Sequence, residues 1–137
     1  MADTVKSVDY YYVTVQDEPG EGTRILSALK DSGVNLVAFL GFPLGDGRSQ
    51  LDLVPEDSQS LVEAAQRSGI TLSDAKRALM IQGNDRVGVV AEITAKLADA
   101  NINLTAAAAT VAGSGRYGMI VWVAPADHER AAQVLAG

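Results

Sequence analysis

The sequence predicts an α+β protein made of two tandem copies of one split βαββαβ unit, each an antiparallel sheet with both helices on one face, the second copy lacking its last strand. Three observations predict this. Asp17-Glu18-Pro19-Gly20, a helical pattern and Gly33-Val34-Asn35-Leu36 return as Asp85-Arg86-Val87-Gly88, a second helical pattern and Asn101-Ile102-Asn103-Leu104. Asp17 and Asp85, Gly20 and Gly88, and Asn35 and Asn103 each stand 68 positions apart, as do the turn glycines Gly45 and Gly113. A repeat of that length is a small domain and not a solenoid unit, so the expected domains are residues 1–74 and 75–137.

The first copy opens on Val8 to Gln16, rich in tyrosine and valine as strands are, and stops at the turn-prone Asp-Glu-Pro-Gly. Ile25, Leu26 and Leu29 then fall on one helical face, with Gly33 as the stop. Val34 to Leu40 is a run apolar but for Asn35, Gly45-Asp46-Gly47 a turn, and Gln50 to Val54 an alternating strand, which together read as a hairpin. Asp57-Ser58 caps a helix carrying Leu61, Val62 and Ala65, Gly69 ends it, and Ile70-Thr71-Leu72 reads as a short last strand.

The second copy repeats the order: a strand over Ala78 to Gln82, a helix over Val89 to Ala100 with Val90, Ile93, Thr94 and Leu97 on one face, a strand over Ile102 to Val111, a strand over Gly118 to Ala124, and a helix over Asp127 to Leu135. Its first strand lacks an edge neighbour unless the N-terminal residues or a second chain supply one. Ala78-Leu79-Met80-Ile81 and Met119 to Val123 are apolar on both alternating sets, so both faces of this sheet are expected to be buried. A sheet of the sister copy or of a second chain is the natural cover, and a homodimer is expected on that ground.

At 137 residues and 47% hydrophobic the chain buries a sizeable core, whereas each copy alone would be marginal. Lys+Arg 11 against Asp+Glu 17 gives a net charge of −6, which argues against nucleic acid or an anionic membrane as partner. There is no cysteine, no apolar leader after Met1, and no run of membrane-spanning length, and a cytoplasmic protein is the expectation. One histidine and no clustered metal ligands imply no catalytic set, metal or cofactor.

The chemistry-bearing positions are the two strand-to-helix loops. A tight loop ending in glycine presents backbone N–H groups at a helix N-terminus, where the dipole also favours a carboxylate. Gly20 and Gly88 permit close approach, Asn35 and Asn103 offer amides, and Asp17 and Asp85 offer carboxylates for an ammonium group. Carboxylate and ammonium together suggest an amino acid. The plainer duties of the same residues are turn geometry for the glycines, capping for the aspartates and local turns for the asparagines. Ala106 to Ala109 makes room either for a ligand or for close sheet packing. Tyr10, Tyr11 and Tyr12 read as strand packing, and His128 as a solvent residue at a helix start.

Asn84-Asp85-Arg86-Val87-Gly88-Val89-Val90-Ala91-Glu92-Ile93 followed by Asn101-Ile102-Asn103-Leu104 resembles the signature of the ACT domain, a small regulatory module of amino-acid metabolism, and Asp17 to Gly20 with Gly33 to Leu36 is similar. The resemblance implies a ferredoxin-like fold, and an amino acid or related metabolite bound between the strand-to-helix loop of one domain and the second strand of its partner. By position it nominates Asp17, Pro19, Gly20 and Asn35, and Asp85, Val87, Gly88 and Asn103. Val87 stands where the family usually has the proline kept at Pro19, and Glu21-Gly22-Thr23 replaces an apolar helix start. A free-standing pair of such domains implies a regulatory, allosteric protein acting through a metabolic enzyme. Beside the amino-acid sensor stand two alternatives: a ligand-free dimerisation or docking module, and a small enzyme of the same fold.

Overall fold

The computed structural model describes residues 3–137. Their elements run β1 (Thr4–Gln16), α1 (Glu21–Asp31), β2 (Leu36–Pro43), β3 (Arg48–Pro55), α2 (Ser58–Ser68), β4 (Lys76–Asn84), α3 (Val89–Asp99), β5 (Leu104–Gly113), β6 (Arg116–Val123), a 3-10 turn (Pro125–Asp127) and α4 (His128–Ala136). The chain divides into two compact units, residues 9–76 and residues 77–137 joined by the chain up to Val8. The units meet between residues 76 and 77, and residues 3–8 group with the second unit.

In the first unit β3 pairs antiparallel with both β1 and β2, giving the order β2-β3-β1. Tyr11, Val13 and Val15 of β1 alternate inward with Leu51 and Leu53 of β3, and Ile25 and Leu29 of α1 and Leu61 and Ala64 of α2 close over them. Both helices therefore cover one sheet face. α1 ends where Gly33 takes φ +77 and Val34 N–H donates back to the Leu29 carbonyl, a helix stop that any Cβ would strain. Asp57 caps α2 by accepting from Gln59 N–H at 3.2 Å.

The strand expected at Ile70-Thr71-Leu72 is absent. Gly69 turns left-handed, Ile70 N–H donates to the Ala65 carbonyl as part of the helix cap, and Ile70 and Leu72 pack on the first core from an irregular segment. The segment hydrogen-bonds to β1 where Ser73 N–H donates to the Tyr12 carbonyl and Tyr12 N–H to Ser73 Oγ.

In the second unit β6 pairs antiparallel with β4 and β5, in the order β5-β6-β4, and β1 is the next neighbour of β4. The edge that the sequence left open is thus met by the N-terminal residues: Val5 packs against the second core, and Ser7 Oγ lies 2.8 Å from His128 Nε2. His128 is 3% exposed and not a solvent residue. Burial first and the Arg77 guanidinium next push its imidazole below the ordinary value, against Glu129. On α3 the buried face is Val89, Ile93 and Leu97, while Val90, expected inside, is exposed.

Ala78, Ile120 and Trp122, on the sheet face away from the helices, are buried within the single chain, as the doubly apolar strands imply. Their burial is complete without a second chain, which removes this ground for a homodimer. The edge strands differ: β2 and β5 carry no charged side chain, and Val37, Phe39 and Val111 are exposed.

Candidate functional site

At the C-terminal end of β1 the first unit opens a cleft of about 250 Å³. Val15 and Leu51 form its apolar floor, Gly41, Phe42 and Pro43 of β2 one wall, and Asp17, Glu18 and Ser49 its polar rim. Ser49 Oγ donates to Asp17 Oδ1 at 3.0 Å and fixes the carboxylate, while Asp17 N–H donates to the Gly47 carbonyl. Gly20 sits at φ +91 and starts α1 with no side-chain cap, so the Gly22 and Thr23 amides have no intrahelical acceptor. A Cβ on Gly22 would stand 3.8 Å from Leu51, and one on Gly41 3.3 Å from it. Both glycines leave space above the floor. The arrangement offers an ammonium group two carboxylates and an apolar body a shallow bed, and the uncapped helix start suits a carboxylate.

The second unit builds the same loop with other contents. Gly88 repeats the left-handed start of α3 at φ +81, and Asp85 N–H donates to the Gly115 carbonyl as Asp17 does to Gly47. Yet Tyr117 stands at the repeat position of Ser49, Val90 at that of Gly22, and Arg86 at that of Glu18. Arg86 is bound to Glu92 at 2.8 Å and to Asp3 at 3.2 Å. Val87 is fully exposed.

Asp17, Pro19 and Gly20 thus lie together, as do Asp85, Val87 and Gly88. The asparagines do not join them within a unit. Asn35 is at the other end of the sheet, its Nδ2 3.4 Å from Glu56 Oε2, beside the Leu36↔Pro55 pair, whereas Asp17 follows the Gln16↔Arg48 pair. Seven strand positions, about 23 Å, separate the two ends of β3. Asn103, exposed, likewise precedes the Leu104↔Val123 pair, while Asp85 follows Asn84↔Arg116. Sequence reasoning missed Gly22, Gly41, Phe42 and Ser49. For Gly22, Gly41 and Ser49 the signal was the asymmetry of the repeat, in which small residues of the first copy answer the larger Val90, Ala109 and Tyr117 of the second.

Among the described residues no group of His, Asp or Glu side chains is arranged to hold a metal, and no helix is long and apolar enough to cross a membrane. No curated protein matches the chain. Among solved structures it is similar to protein BT0572 from Bacteroides thetaiotaomicron, with TM-score 0.83 and 11% identity over 96% of this chain and 88% of the other. It is similar to the regulatory subunit of aspartate kinase from Thermus thermophilus in its ligand-free form, with TM-score 0.68 and 15% identity over 99% and 95%. The corresponding subunit from Thermus flavus gives 0.66 and 18% over 99% and 95%. At such identities these likenesses establish the fold alone. Residues 77–136, the second unit without its N-terminal strand residues, match the family model of the ACT domain.

Proposed function

We propose that the chain is a non-catalytic regulatory protein, a pair of ferredoxin-like ACT domains over residues 1–74 and 75–137, that binds a free amino acid and acts allosterically on an enzyme of amino-acid metabolism. The observation that carries this reading is the loop of residues 17–20. It repeats, 68 positions earlier, the loop that lies inside the ACT match, and it opens on a cleft with two carboxylates, an apolar floor and an uncapped helix start. Asp17 and Glu18 take the ammonium group, the Gly22 and Thr23 amides the carboxylate, and Val15, Leu51 and Phe42 the side chain. The likeness in fold to regulatory subunits of aspartate kinase supports the regulatory half of the proposal. The cytoplasm, where free amino acids are metabolised, is the compartment that fits.

A homodimer belongs to the proposal on a new ground. An uncharged, exposed edge such as β2 invites pairing. Antiparallel pairing of β2 with β2 of a second copy sets the Asn35 end of one strand against the Pro43 end of the other, and so brings an amide to the mouth of the Asp17 cleft. The same edges favour one second reading, a docking module whose repeat serves assembly alone.

A thermal-shift screen of the purified protein against the twenty amino acids at millimolar concentration tests the proposal. One or a few are expected to stabilise; a ligand at a hundredfold its Kd adds about 2.7 kcal/mol. A flat screen, with a dimer in sedimentation, would leave the docking module in its place.

A further inference from the structure

Gly83, in β4, stands at the repeat position of Val15, a buried floor residue of the first unit. The space of the missing side chain is not empty. A Cβ on Gly83 would overlap Asp3 Oδ1 and stand 2.9 Å from Asp3 Cγ and 3.0 Å from the Tyr117 ring. The Asp3 carboxylate fills the place, and the Arg86 guanidinium grips it with two nitrogens, Nη1 to Oδ1 at 3.4 Å and Nη2 to Oδ2 at 3.2 Å. Arg86 is itself held in plane: Nε donates to Glu92, Nη1 also to the Asn84 carbonyl, and its Cζ lies 6.0 Å from the Tyr117 ring centroid. A cavity of about 440 Å³ opens from Asp3, Asn84, Arg86 and Lys96.

An ordinary surface ion pair has none of these features. It needs no side-chain-free backbone beneath it, and it leaves its arginine mobile. Here a glycine supplies the space, a pre-oriented guanidinium supplies the paired donors, and only 17% of the Asp3 side chain is exposed. The surroundings agree: Arg86 first, with Lys96 a smaller influence, holds the Asp3 carboxyl below its usual value, and Tyr117 is pushed up to about 12 by burial and then by Asp3.

We propose that Gly83, Arg86 and Tyr117 form a carboxylate-binding niche that the chain fills with its own Asp3, so that the N-terminal segment is a tethered ligand of the second unit. The niche accepts a small free carboxylate when Asp3 is withdrawn. While Asp3 is present, its effective concentration on the tether excludes free carboxylates. This inference does not depend on the amino-acid reading above.

Chemical rescue with acetate tests it, by thermal denaturation in sodium acetate against sodium chloride at equal ionic strength. The parent protein is expected to melt at the same temperature in both salts. Asp3→Ala is expected to melt lower in chloride and to recover most of the loss in acetate. Asp3→Asn, whose amide keeps the niche filled, and Asp3→Ala with Arg86→Gln are expected to show no acetate-specific recovery. Acetate acting equally on the single and double alanine variants, or an Asp3→Ala variant as stable as the parent, would overturn the proposal.

Discussion

The two units follow one plan and differ at the place where their loops meet the sheet. In the first, Val15, Gly22, Gly41 and Ser49 leave an open cleft with an acidic rim; in the second, Gly83, Val90, Ala109 and Tyr117 stand at the same repeat positions, with Arg86 tied to Asp3. The shared residues include those that fold the unit, namely the glycine that starts the helix, the glycine turns, and the buried leucine pair Leu29 and Leu97, and they extend to Asp17 and Asp85 at the loop. The scaffold and the loop are duplicated and the open cleft is not. Duplication frees one copy to lose an opening without losing the fold, because loop-facing positions bear little of the packing.

The largest expected effect tests what is common. Leu29→Ala and Leu97→Ala, both 1% exposed, are each expected to cost about 2–5 kcal/mol in urea denaturation, with similar values for the two. A large inequality would show that the helices are not equivalent supports. Next comes Gly83→Val, which copies the first unit's floor into the second. The branched side chain expels Asp3, and a loss of about 1–3 kcal/mol is expected from overpacking; added to Asp3→Ala, it is expected to abolish that variant's acetate recovery.

Ser49→Tyr makes the reverse exchange. Because Ser49 lies on the cleft rim, stability is expected to change by no more than about 1 kcal/mol. The thermal shift given by any stabilising amino acid is expected to vanish; a folded Ser49→Tyr protein that responds like the parent would move the ligand away from this cleft.

The smallest effects are in pH dependence. Asp52, 5% exposed in the first unit, stands at the repeat position of Ile120. Burial raises its carboxyl above the usual value, against the hydrogen bond from Gln50. Its native state therefore favours the proton, and its contribution, full below the ordinary carboxylate value, is lost as pH rises through the folded value. Asp52→Asn is expected to remove that slope. His128 of the second unit has the opposite sign: its contribution is present above 6.5, the ordinary value, and is lost as pH falls through the depressed folded value. His128→Gln is expected to flatten stability on that acid side, in melting curves taken across pH 4 to 7.

Much of this architecture was legible from local pattern. Apolar spacing marked Ile25 with Leu29 and Ile93 with Leu97, and the glycines marked where helices begin and stop. Val90 misled because i, i+3 and i+4 spacing admits two adjacent stripes on a short helix, and Val89 took the inner one. Ile70-Thr71-Leu72 misled because strand-like residues were drawn into a helix cap and a core edge. Thr4 to Ser7 went unread as strand since their neighbours lie more than seventy residues further on, and such pairing leaves no local mark. The loops of the candidate site were legible as a motif, but their openness depended on Ser49 and Gly41, distant in sequence and silent alone.

Strand β1 gives Thr4 to Val8 to one unit and Asp9 to Gln16 to the other. During synthesis residues 9–76 have their whole unit in hand once α2 has emerged. Thr4 to Val8 are made before residues 77–137 of their own unit and wait for them, roughly ten seconds at ribosomal rates, before Val5 finds its core. The start of β1 is thus made before residues 9–76 and finds its place after them. That order makes the chain's birth its most exposed moment, with an unpaired strand end available to passing chains.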